Sequence, residues 1–176
     1  MAYDYKKLTK QGGNNAPGLK KKVLVAPVRT FTSIAVPTAA GATPGDSVDI
    51  TGDHTFGPSD GFIELYTTMD TSELTGELVG ERDSNSTNPK VVANHPGLYK
   101  EALEFAKNAK DEDWIVLVEG LDGAYIQIGT EELGADANYR FGSGKVSGGY
   151  KGITLNFESF GEVFIYEGTI TLKPVA

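Results

Sequence analysis

The chain contains no cysteine, only two histidines and one tryptophan, and no long apolar run. Without cysteine there are no disulfides, thiolate nucleophiles or cysteine zinc sites, and only His54 and His95 can supply an imidazole. No apolar stretch reaches the roughly 18 residues of a membrane-spanning helix, and Met1–Lys10 lacks the apolar segment of a signal peptide. We therefore expect a soluble protein, and many enzyme mechanisms are excluded because the residues that they need are absent.

Acidic residues outnumber basic ones, 24 to 16, so that the 176 residues carry a formal charge of −8. This balance disfavours adhesion to nucleic-acid phosphates or anionic lipid and favours solubility. The charge is unevenly placed, because residues 1–22 hold six lysines against Asp4 and are net +5, which leaves −13 for the rest. The length corresponds to one domain.

The basic N-terminal stretch also contains the polar, glycine-rich segment 11–18, which has no apolar period. Such a segment buries too little surface to offset its ordering entropy. We predict a flexible arm over residues 1–22, followed by a single β-rich domain over 23–176. The alternative is a frayed terminus, although the opposite charges of arm and body favour an arm that orders on a partner. The lysines assigned to the arm are Lys6, Lys7, Lys10, Lys20, Lys21 and Lys22.

Segments that are apolar or alternate between apolar and polar residues recur along the body and predict eight or more strands. Trp114–Val118 is continuously apolar, as in a strand covered on both faces, and turns into a second strand over 124–129. Residues 150–159 and 162–172 predict a closing strand pair. A single helix is predicted over about 97–110, with Tyr99, Ala102, Leu103, Ala106 and Ala109 as its apolar stripe. The expected fold is mainly β, a sandwich or barrel with one flanking helix.

Two further alternating segments, 61–70 and 73–81, predict a long hairpin, and the polar stretch 82–90 predicts a loop. In this hairpin four glutamates alternate with the apolar side chains and form an acidic face. This face is either a solvated surface that keeps the protein soluble or a surface that repels something anionic. The four residues are Glu64, Glu73, Glu77 and Glu81.

No motif in the chain predicts a catalytic, cofactor-binding or metal-binding residue. His54 and His95 have no partner nucleophile or second ligand at useful spacing and are interpreted as surface-loop residues. The run 142–149 resembles the end of a phosphate-binding loop but lacks its first glycine and its final Ser or Thr, so we expect a flexible connection between strands. Asp83 and Asp111 begin acidic segments that do not continue into a calcium loop.

The order of these segments resembles that of the major tail tube proteins of tailed bacteriophages. The segments are a basic glycine-rich arm, the acidic hairpin over 61–81, one helix, the 114–129 hairpin and a closing pair over 152–170. The resemblance implies a β-sandwich that forms hexameric rings, which stack into a hollow tube with a large inner β-barrel around the passing DNA. The type VI secretion tube protein shares this plan.

From the resemblance we expect a structural virion protein, not an enzyme, that is assembled in the bacterial cytoplasm and located in the phage tail. Its expected partners are other copies of itself and other tail proteins, while genomic DNA passes without specific binding. The acidic face would line the lumen, and the arm would order against the next ring. A capsid-decoration, head-tail joining or tail-terminator protein is the main alternative, and a carbohydrate-binding β-sandwich or a hydrolase is a more distant one.

Overall fold

The computed structural model describes residues 6–9, 13, 15–37 and 43–175. It is mainly β with one helix, which confirms the expected fold class. Two short 3₁₀ turns lie at Val28–Thr30 and Asp46–Val48. The strands are β1 (Leu19–Pro27), β2 (Phe31–Ser33), β3 (Asp49–Ile50), β4 (Thr55–Phe56), β5 (Ile63–Tyr66), β6 (Glu73–Val79), β7 (Ser86–Pro96), β8 (Asp113–Gly120), β9 (Tyr125–Ile128), β10 (Ala135–Gly142), β11 (Gly152–Glu158) and β12 (Phe164–Tyr166), and the helix is α1 (Lys100–Ala109).

Strand β8 is the centre of the fold. Its apolar run, Trp114–Val118, is buried on both faces, as the continuous hydrophobicity predicts. One edge of β8 pairs with β1. The other edge pairs with β9 from Val116 to Glu119 and, at the beginning of β8, with the first two residues of β10, Ala135 lying opposite Trp114. The predicted 114–129 hairpin is therefore confirmed as β8 and β9.

These strands belong to one ten-stranded sheet that divides at β8 into two parts, which we call the first sheet and the second sheet. The first sheet has the order β5-β1-β8-β9-β12-β3, and the second has the order β10-β11-β7-β6. Every pair in the second sheet is antiparallel. The inner faces of the two sheets enclose the main core, to which Val25, Val116, Val91, Leu155 and Phe157 contribute.

A second apolar cluster covers the opposite face of the first sheet. Leu24 and Leu117 point into it from β1 and β8, together with Phe62 and Tyr166. The small antiparallel sheet of β2 and β4 closes over this cluster, with Phe31 and Phe56 packed at a ring-centroid distance of 4.3 Å. The molecule thus has three layers, and β8 lies in the middle one.

Helix α1 begins at Lys100, three residues after the predicted start, because Pro96 still belongs to β7. It packs on the main core through Ala102, Phe105, Ala106 and Ala109. The Trp114 Nε1–H donates a hydrogen bond of 2.9 Å to the Ala109 carbonyl at the helix end. Tyr99 and Leu103 of the predicted stripe are 46% and 40% exposed, so that part of the prediction is wrong. Among the described residues, no helix is long and apolar enough to cross a membrane.

The predicted hairpin over 61–81 does not form, although both of its strands do. β5 pairs with β1, and β6 pairs with β7. Between them the chain crosses from the first sheet to the second: the Thr67 N–H donates to the Lys21 carbonyl in β1, and the Thr68 N–H donates to the Asn94 carbonyl in β7. Alternation tells which face of a strand is buried but does not choose its partner. The closing pair over 152–170 fails for the same reason, because β11 pairs with β10 and β7 while β12 pairs with β9 and β3.

The segment predicted as a loop over 82–90 becomes strand from Ser86 onward. β7 is the partner of both β6 and β11, and its polar start is satisfied inside the fold. The buried Asn88 side chain donates 2.9 Å to the Ser159 carbonyl, and the Pro89 carbonyl accepts from the Ser159 N–H at 3.0 Å. The first residues of β7 are polar and form their hydrogen bonds through a side chain and a proline carbonyl. This part of the strand therefore has no hydrophobic pattern from which it could be predicted.

The boundary predicted between arm and body falls inside β1. Lys20, Lys21 and Lys22 are strand residues, and Lys20 pairs with the buried Glu119 of β8. These three lysines are therefore part of the folded sheet, which corrects their assignment to the arm. Lys6 and Lys7 are exposed, and Lys10 lies outside the described residues.

Candidate functional site

The outer face of the second sheet is almost entirely polar. Most apolar residues of its four strands point into the main core, and the residues that alternate with them point away from it. Leu78 and Phe141, each next to the last residue of its strand, are exposed. Val92, and Val79 at the end of β6, are the aliphatic side chains that also point away from the main core. We call this surface the polar face; its residues are Glu73, Thr75, Glu77, Lys90, Val92, Asn94, Asp136, Asn138, Arg140, Thr154, Asn156 and Glu158.

Cross-strand contacts hold the polar face together. The Lys90 Nζ lies 3.5 Å from a carboxylate oxygen of Glu77 on one side and 3.5 Å from one of Glu158 on the other. The Thr154 hydroxyl donates to the Asn94 side-chain oxygen. These ion pairs are partly exposed, so each contributes between zero and about 1 kcal/mol to stability. Carboxylates still exceed cations on the face, by four to two.

The structure brings together two of the four predicted glutamates. Glu73 and Glu77 lie on the polar face, as the alternation in β6 indicates. Glu64 belongs to β5 in the first sheet, where its carboxylate lies 3.8 Å from the Lys22 Nζ. Glu81 follows β6 in an exposed bend. The predicted acidic hairpin face is therefore split between two sheets.

Two acidic residues of the polar face, Asp136 and Glu158, were missed by the sequence analysis. They lie opposite one another in β10 and β11, and Glu158 also lies opposite Lys90. In β10, Asp136 lies between the core residues Ala135 and Ala137, and in β11, Glu158 follows the core residue Phe157. This alternation is the signal that could have found them, but only the strand order shows that they share a face with Glu73 and Glu77.

The two outermost strands of the second sheet each have a free edge. Among the described residues β6 pairs with β7 alone, and β10 beyond Asp136 pairs with β11 alone. The free edge runs along the seven residues of β6 and along β10 from Ala137 to Gly142. A long unpaired edge is a template for pairing with another chain.

His54 is not the surface-loop residue that the sequence analysis expected. It is 2% exposed and stacks on the Tyr166 ring at a centroid distance of 4.6 Å. Its Nδ1 accepts from the Ala35 N–H at 3.0 Å, which leaves the proton on Nε2 to be donated to the Gln127 Oε1 at 2.8 Å. Burial lowers the pKa of His54, with the Gln127 hydrogen bond opposing that shift. The neutral ring is a structural link between the β2–β4 layer and the first sheet.

His95 lies in β7 and joins three elements. Its Nδ1 is 2.8 Å from the Tyr66 carbonyl oxygen, to which it donates, and its Nε2 accepts from the Tyr99 hydroxyl at 2.6 Å. Both ring nitrogens are therefore occupied. Beside it, a groove of about 210 Å³ lies between α1, β5 and β11. Among the described residues, no three His, Asp or Glu side chains are placed to hold a metal ion.

The glycine-rich run 142–149 forms the tip of the β10–β11 hairpin. Lys145 and Gly148 exchange two backbone hydrogen bonds of 3.1 Å, so that Val146 and Ser147 make a tight turn. The run therefore connects two strands, as expected, and does so as a closed hairpin tip.

The comparisons with known proteins give no family assignment. No protein-family model, no curated protein and no solved structure matches the chain.

Proposed function

We propose that this protein is a structural virion protein that forms hexameric rings, and that the rings stack into a bacteriophage tail tube, the conduit for DNA ejection. The order of segments that resembles the tail tube proteins motivates the proposal. The observation that carries it is the second sheet: a four-stranded antiparallel sheet with a polar outer face and a free strand at each edge.

The free edges suit a head-to-tail ring. Because successive pairs in the sheet are antiparallel, β6 and β10 run in opposite directions. Rotation about a ring axis keeps the orientation of each copy, so β6 of one copy can pair with β10 of the next in antiparallel fashion. Such a heterologous contact forms a closed ring when the rotation closes. Six copies would give a barrel of about 24 strands with no edge left over.

In such a ring the polar face would line the channel, because the main core, the first sheet and α1 all lie behind the second sheet. Excess carboxylate on the channel wall opposes the phosphates of passing DNA. Lys90 is held between Glu77 and Glu158, which reduces its availability to a phosphate. The channel would thus let DNA pass without binding it specifically.

The arm keeps its proposed role for the part of the chain that precedes β1. Lys6 and Lys7 are exposed and belong to a basic segment, whereas Lys20 and Lys22 pair with Glu119 and Glu64 inside the fold. We assign the contact with the adjacent ring to residues before Leu19. The opposite charges of this segment and the body support that contact.

Electron microscopy of the purified protein at rising concentration tests the proposed function. Hollow tubes or stacked six-fold rings are expected, with tube length increasing with concentration. Single closed rings that never stack would favour the head-tail joining or terminator alternative. Monomers at every concentration would contradict self-assembly and would favour a decoration protein or a carbohydrate-binding sandwich.

A further inference from the structure

The tip of the β10–β11 hairpin exposes apolar side chains that a free surface would not favour. Val146, at the apex of the tight turn, is fully exposed, and Phe141 is 65% exposed. Tyr150, two residues before β11 begins, is 38% exposed. The hairpin passes the end of β7 at Gly152, which pairs with Pro96, so no other strand that the structure describes pairs with the tip. We call residues 141–151 the hairpin tip.

The hairpin tip also lies in a basic segment of the folded body. Between Asp136 and Glu158 the chain has three cations, Arg140, Lys145 and Lys151, and no carboxylate. None of the three forms an ion pair with any residue that the structure describes. In a protein of net charge −8 this combination of exposed apolar groups and unpaired cations indicates a contact surface.

A surface of complementary chemistry is the groove between α1, β5 and β11. Its walls are mostly apolar, and two carboxylates, Glu64 and Glu101, belong to its lining. The ion pairs that these carboxylates make, with Lys22 at 3.8 Å and Lys100 at 3.5 Å, are long and solvent-exposed. His95 fixes the Tyr66 backbone and the Tyr99 hydroxyl beside the groove. The apolar lining is Leu65, Tyr66, Tyr99, Ala102, Phe105, Ile153 and Leu155.

We propose that the hairpin tip of one copy docks in this groove on the neighbouring copy of the chain, an inference that rests on the proposed ring. Gly142 of β10 and Glu73 of β6 are both at the end of the second sheet where β7 reaches Asn94–Pro96. When β10 pairs with the neighbour's β6, the tip therefore emerges at the end of the sheet that holds the neighbour's groove. Val146 and the aromatic rings meet its apolar walls, and Lys145 and Lys151 meet Glu64 and Glu101.

A charge exchange tests this docking. Lys145→Glu with Lys151→Glu should lower the association constant, measured by sedimentation velocity, by about ten-fold or more. Glu64→Lys with Glu101→Lys should lower it by a similar factor. The chain that carries all four changes should recover association to within about three-fold of the original, because the opposite charges meet again. Lys107→Glu in α1 with Lys110→Glu directly after it, a charge change of equal size at exposed positions outside the groove lining, is the matched control and should associate normally. Val146→Ser, which changes no charge, should also weaken association.

Circular dichroism and thermal unfolding of each variant confirm that the monomer is folded, as expected for exposed positions. Tip variants that form rings as well as the original chain would overturn the docking and leave the ring itself intact. If the chain that carries all four changes does not recover association, the tip and the groove are not partners, and the docking is overturned equally. An unmodified chain that never associates would overturn both the docking and the ring.

Discussion

At the scale of single residues, two leucines with similar sequence patterns have opposite surroundings. Leu155 and Leu78 both alternate with polar residues in a strand, yet Leu155 is 3% exposed and Leu78 is 72% exposed. Leu155→Ala should lower the free energy of unfolding by about 2–5 kcal/mol, through lost burial and a cavity in the main core. Leu78→Ala, the matched control, should change it by under about 0.5 kcal/mol. Denaturant titration measures both, and a small loss at Leu155 would contradict the assigned core.

His54 gives a prediction about pH. Its pKa is lowered in the folded protein, so below about pH 6.5, the usual pKa of a histidine, the unfolded chain binds a proton that the folded chain does not. Folding stability must therefore fall as the pH falls from about 6.5, by at most about 1.4 kcal/mol per pH unit from this group.

Denaturant titration between pH 7.5 and 5.5, on the original chain and on His54→Gln, isolates this contribution. Carboxylates titrate alike in both chains, so the difference between the two pH dependences belongs to His54. The variant should be less stable at pH 7.5, because the Ala35 N–H loses its acceptor, and should lose less stability on acidification. Equal pH dependence in the two chains would contradict a buried neutral ring.

At the scale of elements, β1 separates the arm into two parts with different roles. Deletion of residues 2–14 leaves β1 whole and should give a folded monomer of normal stability whose rings stack poorly. Deletion of residues 2–22 also removes the first four residues of β1, together with the Lys20–Glu119 pair, and should lower the free energy of unfolding by at least about 1 kcal/mol. Electron microscopy and denaturant titration measure the two effects. Normal tubes from the shorter deletion would exclude the proposed stacking role.

Strands were easier to predict from the sequence than their partners. The apolar run of β8, the β8–β9 hairpin and the helix follow from local patterns, and the structure contains all three. β5 and β12 pair with strands that are far away in the chain, and β6 finds its partner after the chain has crossed between the sheets. No local pattern specifies these pairings. β7 was not predicted as a strand, because its first residues are polar and form their hydrogen bonds inside the fold.

The candidate site was predictable to a similar degree. Alternation in β6 identified Glu73 and Glu77, whose strand is intact in the structure. Glu64 was grouped with them only through the hairpin that does not form. His54 was misassigned because a lone polar residue in a loop gives no sign of the Tyr166 and Gln127 side chains that bury it.

At the scale of the whole molecule, the charge on the polar face should decide how an assembled tube treats DNA. Glu73→Lys with Glu77→Lys should change monomer stability by at most about 1 kcal/mol, since both positions are exposed and only the Lys90 contact is lost. Tubes of this variant should retain DNA in co-sedimentation at low salt and release it as salt rises. The matched control, Glu162→Lys with Glu167→Lys, changes the same charge at exposed positions outside the second sheet. Equal DNA retention by the control would argue against a channel position for Glu73 and Glu77.

The central claim is that β6 of one copy pairs with β10 of the next, and the absence of cysteine makes it directly testable. Thr75→Cys places a thiol on the outer face of β6, and Asn138→Cys, Arg140→Cys and Gly142→Cys place one on the same face of β10 at three possible registers along its free edge. Cross-strand side chains in an antiparallel pair are close enough to form a disulfide.

The measurement is mild oxidation of assembled protein carrying Thr75→Cys with each β10 variant in turn, followed by non-reducing electrophoresis. At least one pairing should give a ladder of covalent species that ends at a closed hexamer. Every single-cysteine variant should run as a monomer on the gel, because the contact is head-to-tail and brings no two copies of the same residue together. A ladder that stops at a dimer, or disulfide dimers from Thr75→Cys alone, would contradict the edge-to-edge ring, as would the absence of cross-links in all three pairings.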